Sequence, residues 1–110
     1  MSFDANFPSD RKITIVGAGV SGNALASLAT ALGAKVFVTD KSSINETSRR
    51  FFKRQDIAFE EERHTHRALE CDALVLSSGV PPSAKPVVEA RRRGIPVIGE
   101  LDFVGDHLKG

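Results

Sequence analysis

The feature that most constrains this chain is Gly17-Ala18-Gly19-Val20-Ser21-Gly22, which follows the apolar run Ile13-Thr14-Ile15-Val16 and opens an alanine-rich segment over residues 23–32. A short β-branched run, a glycine turn and a helical pattern, in that order, begin a βαβ unit. The glycines stand at G-x-G-x-x-G spacing, and each has a separate physical task. Gly17 permits the tight turn off the strand. Gly19, without a side chain, lets a phosphate approach the backbone, and Gly22 lets the helix lie close to the strand. The free N–H groups of the helix's first turn, backed by the positive end of its dipole, then face an anion. Pyrophosphate is the expected guest. The fingerprint also calls for an acidic residue about twenty positions on, and Asp40 ends the run Lys35-Val36-Phe37-Val38-Thr39.

Strands and helices alternate along the rest of the chain. A helix is expected over residues 20–32, with Leu25, Leu28, Ala29 and Leu32 on one face and Gly33 as its left-handed stop. Ser43 and Glu46 have capping-box spacing, which predicts a second helix over 44–54. Its Arg49, Arg50, Lys53 and Arg54 read as a solvated basic face. Residues 57–59 form a short third strand, and 60–67 are highly charged with little pattern. His64 and His66, two apart and with no cysteine beside them, do not make a metal site. Ala73-Leu74-Val75-Leu76 is an unbroken apolar strand of the kind buried in a parallel sheet. A helix over about 84–93 follows, with Pro86 in its first turn and Gly94 at its end. Residues 95–98 make a fifth strand in which Pro96 marks a beginning or an edge, and a short helix runs to about residue 107. Residues 1–10 are polar and read as a loose lead-in.

The fold class is therefore α/β: a Rossmann-like, doubly wound, five-stranded parallel sheet in a single domain, with right-handed crossovers and strand order 3-2-1-4-5. Ligands of such sheets bind at the carboxyl ends of the strands where the order reverses, here between the first and fourth strands. Three loops meet there: 17–22, 40–42 and 77–82. The length of 110 residues suits one modest core. A net charge of +1 gives no field that would favour nucleic acid or a membrane surface, and the single Cys71 fits a reducing, cytoplasmic setting and a structural role.

Four segments stand in the order and spacing of a known family: the strand with Gly17-Ala18-Gly19-Val20-Ser21-Gly22, Val38-Thr39-Asp40, Val75-Leu76-Ser77-Ser78-Gly79-Val80-Pro81, and Gly94-Ile95-Pro96-Val97-Ile98-Gly99-Glu100-Leu101. They resemble the N-terminal domain of the Mur ligases, peptidoglycan-precursor enzymes of the bacterial cytoplasm. The resemblance spans about residues 11–105. It is nearest to the ligases that add D-glutamate to UDP-N-acetylmuramoyl-L-alanine. It implies that Gly19, Val20, Ser21 and Gly22 cradle the diphosphate of a UDP-sugar. It further implies that Asp40 and Lys41 hold the uracil, while Ser77, Ser78 and Gly79 line the opposite wall. Some members carry an arginine at the position of Ser42 and many a proline at that of Ser78, so the uracil contact and the stiffness of that wall differ here.

Complete Mur ligases continue into a P-loop ATPase domain and an amino-acid-binding third domain. No G-x-x-x-x-G-K-[ST] occurs in the 110 residues. The resemblance thus implies a partner in UDP-N-acetylmuramoyl-L-alanine through its UDP moiety, and no cofactor bound by these residues. ATP and Mg²⁺ would be held by the other two domains, without which no ligation is expected. The competing reading from the glycine motif is an NAD-binding domain of an oxidoreductase or a nicotinamide-sensing regulator, with Asp40 on the adenosine ribose.

Overall fold

The computed structural model describes the backbone of residues 2–3 and 11–109, with side chains for residues 11–105. In chain order the elements are β1 (Ser2–Phe3), β2 (Lys12–Val16), α1 (Val20–Ala31), β3 (Lys35–Thr39), α2 (Glu46–Arg54) and β4 (Ala58–Glu60). A 3₁₀ turn (His66–Leu69), β5 (Ala73–Leu76), α3 (Lys85–Arg92), β6 (Val97–Gly99), α4 (Glu100–His107) and β7 (Leu108–Lys109) complete the series.

Five strands form one parallel sheet in the order β4-β3-β2-β5-β6, which is the expected 3-2-1-4-5. The register fixes the site. Val16 pairs with Thr39 on one side and Leu76 on the other, Thr39 with Glu60, and Leu76 with Gly99. Those five residues form one row across the sheet, so every following loop leaves the same carboxyl edge.

Strand alternation divides the core into two layers. Ile13, Ile15, Val38, Ala73 and Val75 face α1, α2 and α4, packing on Leu25, Ala26, Ala29, Phe52 and Phe103. Val16 and Leu74 face α3, against Val87 and Ala90. Each fully buried Val, Leu, Ile or Phe side chain here contributes about 1.5–3 kcal/mol relative to exposure. Of the expected helical stripe, Leu25, Ala29 and Leu32 are buried, whereas Leu28 is only partly so.

Several boundaries differ from the sequence reading. The Ser43–Glu46 capping box does not form. Asn45 is the N-cap of α2, its side chain accepting from Ser48 N–H at 2.8 Å. Ile44 explains the shift, because its side chain is buried in the core and its N–H donates to Glu61 Oε1 at 2.9 Å. A residue plugged into the core from an extended chain cannot also begin the helix. β4 starts one residue later than expected, since Ile57 N–H closes the end of α2 on Phe52 O at 2.8 Å. β6 starts at Val97; Ile95 N–H is taken by Ala90 O, and Pro96, on the edge strand's threshold, offers its carbonyl to Leu74 N–H.

β1 and β7 make a separate antiparallel pair, Ser2 with Lys109 and Phe3 with Leu108. Two residues of the expected loose lead-in are therefore strand; the remainder of that expectation lies outside the described residues. Cys71 is half-buried with Sγ 3.5 Å from Ala68 O, and burial raises its thiol pKa, which suits a structural residue.

Candidate functional site

The glycine turn has the geometry its spacing requires. Gly17 has φ +98°, a left-handed conformation, and a Cβ there would strike Ser77 Oγ and come within 2.8 Å of Val80 Cγ2. Gly22 is buried, and a Cβ on it would collide with the carbonyl oxygen of Gly17 and lie 2.9 Å from its carbon. This is the contact that seats α1 on the end of β2. Gly19 differs from both: it is exposed, and a Cβ would meet nothing within 4 Å. The space in front of it is open.

Gly19 is also the N-cap of α1, with no side-chain cap and no acidic residue in the first turn. The first intrahelical bond runs from Asn23 N–H to Gly19 O at 3.0 Å. The amides of Val20, Ser21 and Gly22 precede it and have no acceptor within the helix. Val20 projects its side chain into solvent at 90% exposure, so it can serve an anion only through its backbone.

Asp40 joins this turn to the loop after β3. Its Oδ2 accepts from Ala18 N–H and its Oδ1 from Ser42 N–H, each at 2.8 Å. The carboxylate thus braces the glycine turn as well as facing the cleft. The 40–42 loop is itself held by residues 60–63: Asp40 N–H donates to Glu60 O, Arg63 N–H to Asp40 O, and Glu62 N–H to Ser42 O. The charged stretch without sequence pattern is a clamp on the loop that carries Asp40 and Lys41.

A cavity of about 520 Å³ opens at the switch point. Val16, Gly17, Asp40, Lys41 and His64 form one side of it, and Gly79 to Pro81 with Ser83 to Lys85 the other. This size suits a nucleoside. Residues 19–22 are not in its wall; they continue from Gly17 as the start of α1.

The loop after β5 is divided. Gly79, φ +90°, lines the cavity. Ser77 is buried, and its hydroxyl donates to Val16 O at 2.7 Å, bracing the end of β2 where a ligand contact was expected. Ser78 is exposed and outside the cavity wall, its N–H given to Glu100 Oε1 at 3.0 Å. Glu100, in the first turn of α4, therefore holds this loop.

Sequence reasoning missed His64, Ser83 and Lys85 as cavity residues. Lys85 lines the same cavity as Lys41. His64 is half-buried, its Nδ1 2.8 Å from Thr39 Oγ1, and burial lowers its pKa against the pull of the Glu60 and Asp40 carboxylates. No signal of spacing pointed to it. His66 is exposed, and among the described residues no three His, Cys, Asp or Glu side chains come together as a metal site. The glycine turn lacks the Lys-[Ser/Thr] pair of a P-loop, with Asn23 and Ala24 after Gly22. None of the described helices is long and apolar enough to cross a membrane.

The family described as the MurD N-terminal domain matches residues 12–86. The UDP-N-acetylmuramoylalanine–D-glutamate ligase of Chlorobium phaeobacteroides (strain BS1) is 37% identical over 99 residues, covering 90% of this chain and 21% of that protein. The enzyme of the same name from Bacteroides fragilis (strain YCH46) is 38% identical over 96 residues, covering 86% of this chain and 22% of its own. The chain thus spans about a fifth of the length of these curated relatives. Among solved structures, the UDP-N-acetylmuramate:L-alanyl-gamma-D-glutamyl-meso-diaminopimelate ligase from Neisseria meningitides superposes with a TM-score of 0.75 at 20% identity. That match covers 89% of this chain and 31% of the other, and it bears on the fold alone. The sheet order, the uncapped glycine turn and the sequence similarity agree, and the chain belongs to the MurD N-terminal domain family.

Proposed function

We propose that this domain holds the uridine diphosphate end of UDP-N-acetylmuramoyl-L-alanine for a cytoplasmic, ATP-dependent ligase that adds D-glutamate. Base and ribose would occupy the 520 Å³ cavity between Asp40, Lys41 and His64 on one side and residues 79–85 on the other. The diphosphate would lie beyond Gly17, on the amides of Val20, Ser21 and Gly22. The observation that carries the reading is the pairing of an uncapped α1 N-terminus, open in front of Gly19, with a nucleoside-sized cavity at its foot. Lys41 and Lys85 add positive charge on both sides. ATP and Mg²⁺ would be held outside residues 11–105, as would D-glutamate.

The competing ligand is NAD, and Asp40, with one backbone N–H on each oxygen, keeps lone pairs for a ribose hydroxyl of either nucleotide. The glycine turn would serve either ligand, so discrimination rests with the base and ribose. A site built to hydrogen-bond one base leaves polar groups unpaired with another. Calorimetric titration of the chain with UDP and with NAD at matched ionic strength tests this. UDP is expected to bind, with NAD at least about tenfold weaker. Tighter binding of NAD overturns the proposal.

A further inference from the structure

At the amino edge of the sheet, β2 and β3 set Lys12 beside Lys35, each the first residue of its strand. The register puts both side chains on one face, with Thr14 and Phe37 two residues further on. Like charges side by side on neighbouring strands are destabilising. Neither lysine forms an ion pair among the described residues, and Asp72 Oδ2 is taken by the Lys12 backbone N–H at 2.8 Å.

The same face carries a third cation. The Arg67 guanidinium, from the 3₁₀ turn, lies 4.5 Å from the centre of the Phe37 ring. Stacking uses the face of the guanidinium and leaves the N–H groups on its edge to donate, and no ion pair takes them among the described residues. The three cations line one cavity of about 180 Å³ with Thr14, Glu70 and Cys71. Thr14 is 1% exposed, and its Oγ1 is buried without a hydrogen-bond partner. It stands beside the Cys71 thiol, which donates to Ala68 O at 3.5 Å. Ammonium and guanidinium groups can only donate, and the Thr14 hydroxyl has a proton to give. Glu70 is the one carboxylate in the wall; it is exposed, and three cations outnumber it.

We infer that this cavity is a second anion site, which takes a small oxyanion of the phosphate class between Lys12, Lys35 and Arg67, with the Thr14 hydroxyl as a further donor. Its volume falls short of the ~300–1,000 Å³ of pockets for drug-sized ligands, so a nucleotide does not fit within it. Lys12 and Val16 are at opposite ends of β2, about 13 Å apart at the rise of a strand. The site is thus separate from the cleft at the carboxyl edge and does not depend on the reading of that cleft.

Inorganic phosphate is the probe, titrated into the isotopically labelled chain at constant ionic strength beside a chloride control. The amides of Lys12, Thr14, Lys35, Phe37, Arg67 and Cys71 report this cavity, while those of Val20, Ser21 and Gly22 report the α1 turn separately. The parent should show saturable shifts at the amino edge that chloride does not reproduce. Lys12→Gln and Lys35→Gln should each raise the phosphate Kd there about tenfold and leave the α1 response unchanged. Both lysines are exposed, so these variants leave the core intact. Without phosphate and at low ionic strength, each should melt at or above the parent, because the repulsion is relieved. Glycerol phosphate distinguishes the source of the oxyanion: tighter binding than phosphate assigns the site to a phosphomonoester, and equal or weaker binding to free phosphate. Shifts limited to Val20, Ser21 and Gly22, equal shifts with chloride, or a Kd unmoved by both lysine variants overturns the site and leaves the uridine diphosphate reading standing. Melting of both variants below the parent overturns the uncompensated lysine pair on which the site rests.

Discussion

Substituting Gly22 is the sharpest test of how α1 is seated, because two effects of opposite sign compete there. Gly22 lies in the first turn of α1, and exchanging a helical glycine for alanine ordinarily stabilises by up to about 1 kcal/mol. The structure predicts the reverse. The new Cβ would collide with the Gly17 carbonyl oxygen and stand 2.9 Å from its carbon, and both are backbone atoms that no rotamer change can move. The Gly17 turn has little room to yield, since its N–H is bonded to Thr39 O at 2.8 Å and its carbonyl also meets the Ser77 hydroxyl at 3.3 Å. α1 must lift from the sheet, loosening Leu25, Ala26 and Ala29 in the core. Overpacking of this kind costs about 1–3 kcal/mol, enough to exceed the helix-propensity gain. At about 4–8 °C per kcal/mol for a domain of this size, Gly22→Ala should lower Tm by several degrees, and Gly22→Val by more. Thermal unfolding followed by circular dichroism, with UDP titration of the folded variants, measures both consequences. A Gly22→Ala protein that melts at or above the parent would refute the close contact, since propensity would then be acting alone.

Gly19→Ala should behave oppositely: its Cβ meets nothing within 4 Å, so stability should stay within about 0.5 kcal/mol while UDP and pyrophosphate binding both weaken. Asp40→Ala should weaken both ligands too, because the carboxylate braces Ala18 N–H in the glycine turn; pyrophosphate affinity equal to the parent's would separate Asp40 from the turn. Stability should fall with acid in two steps, read by denaturant unfolding across pH. His64 and Glu60 both have folded-state pKa values lowered from 6.5 and 4.5, so each stabilises above its ordinary value and loses that contribution as pH falls through the folded one. His64→Asn should remove the upper step, and an unchanged profile would contradict this assignment.

The sheet order and the place of the cleft were legible in the sequence because β-branched runs, glycine turns and helical stripes alternate without interruption. The boundaries were less so, for one recurring reason. Ile44, Ile57 and Ile95 each precede an element and look like its first apolar residue. The first two are buried and the third is partly so, yet all three enter the core from connecting segments, with their N–H groups bonded to Glu61, Phe52 and Ala90. Periodicity counts apolar residues and does not see where their amides go. β1 and β7 have two residues each, too few for any period.

The site divides in the same way. The roles of Gly17 and Gly22 follow from spacing, since each concerns backbone beside backbone. Ser77 looked like a ligand group because its hydroxyl sits in the right loop, but the register of β5 beside β2 turns it onto Val16 O. The Glu60–Thr39–His64 network joins residues 21 and 25 positions apart through the pairing of β4 with β3. No local pattern announces it.

The most direct test of the central claim is a chemical-shift titration of the isotopically labelled chain with UDP. Saturable shifts are expected at the amides of Val20, Ser21 and Gly22 and around Lys41, His64 and Gly79, with pyrophosphate alone reproducing only those of the first group. Shifts confined to the amino ends of the strands, around Lys12, Lys35 and Cys71, or no saturable shifts at all, would contradict it.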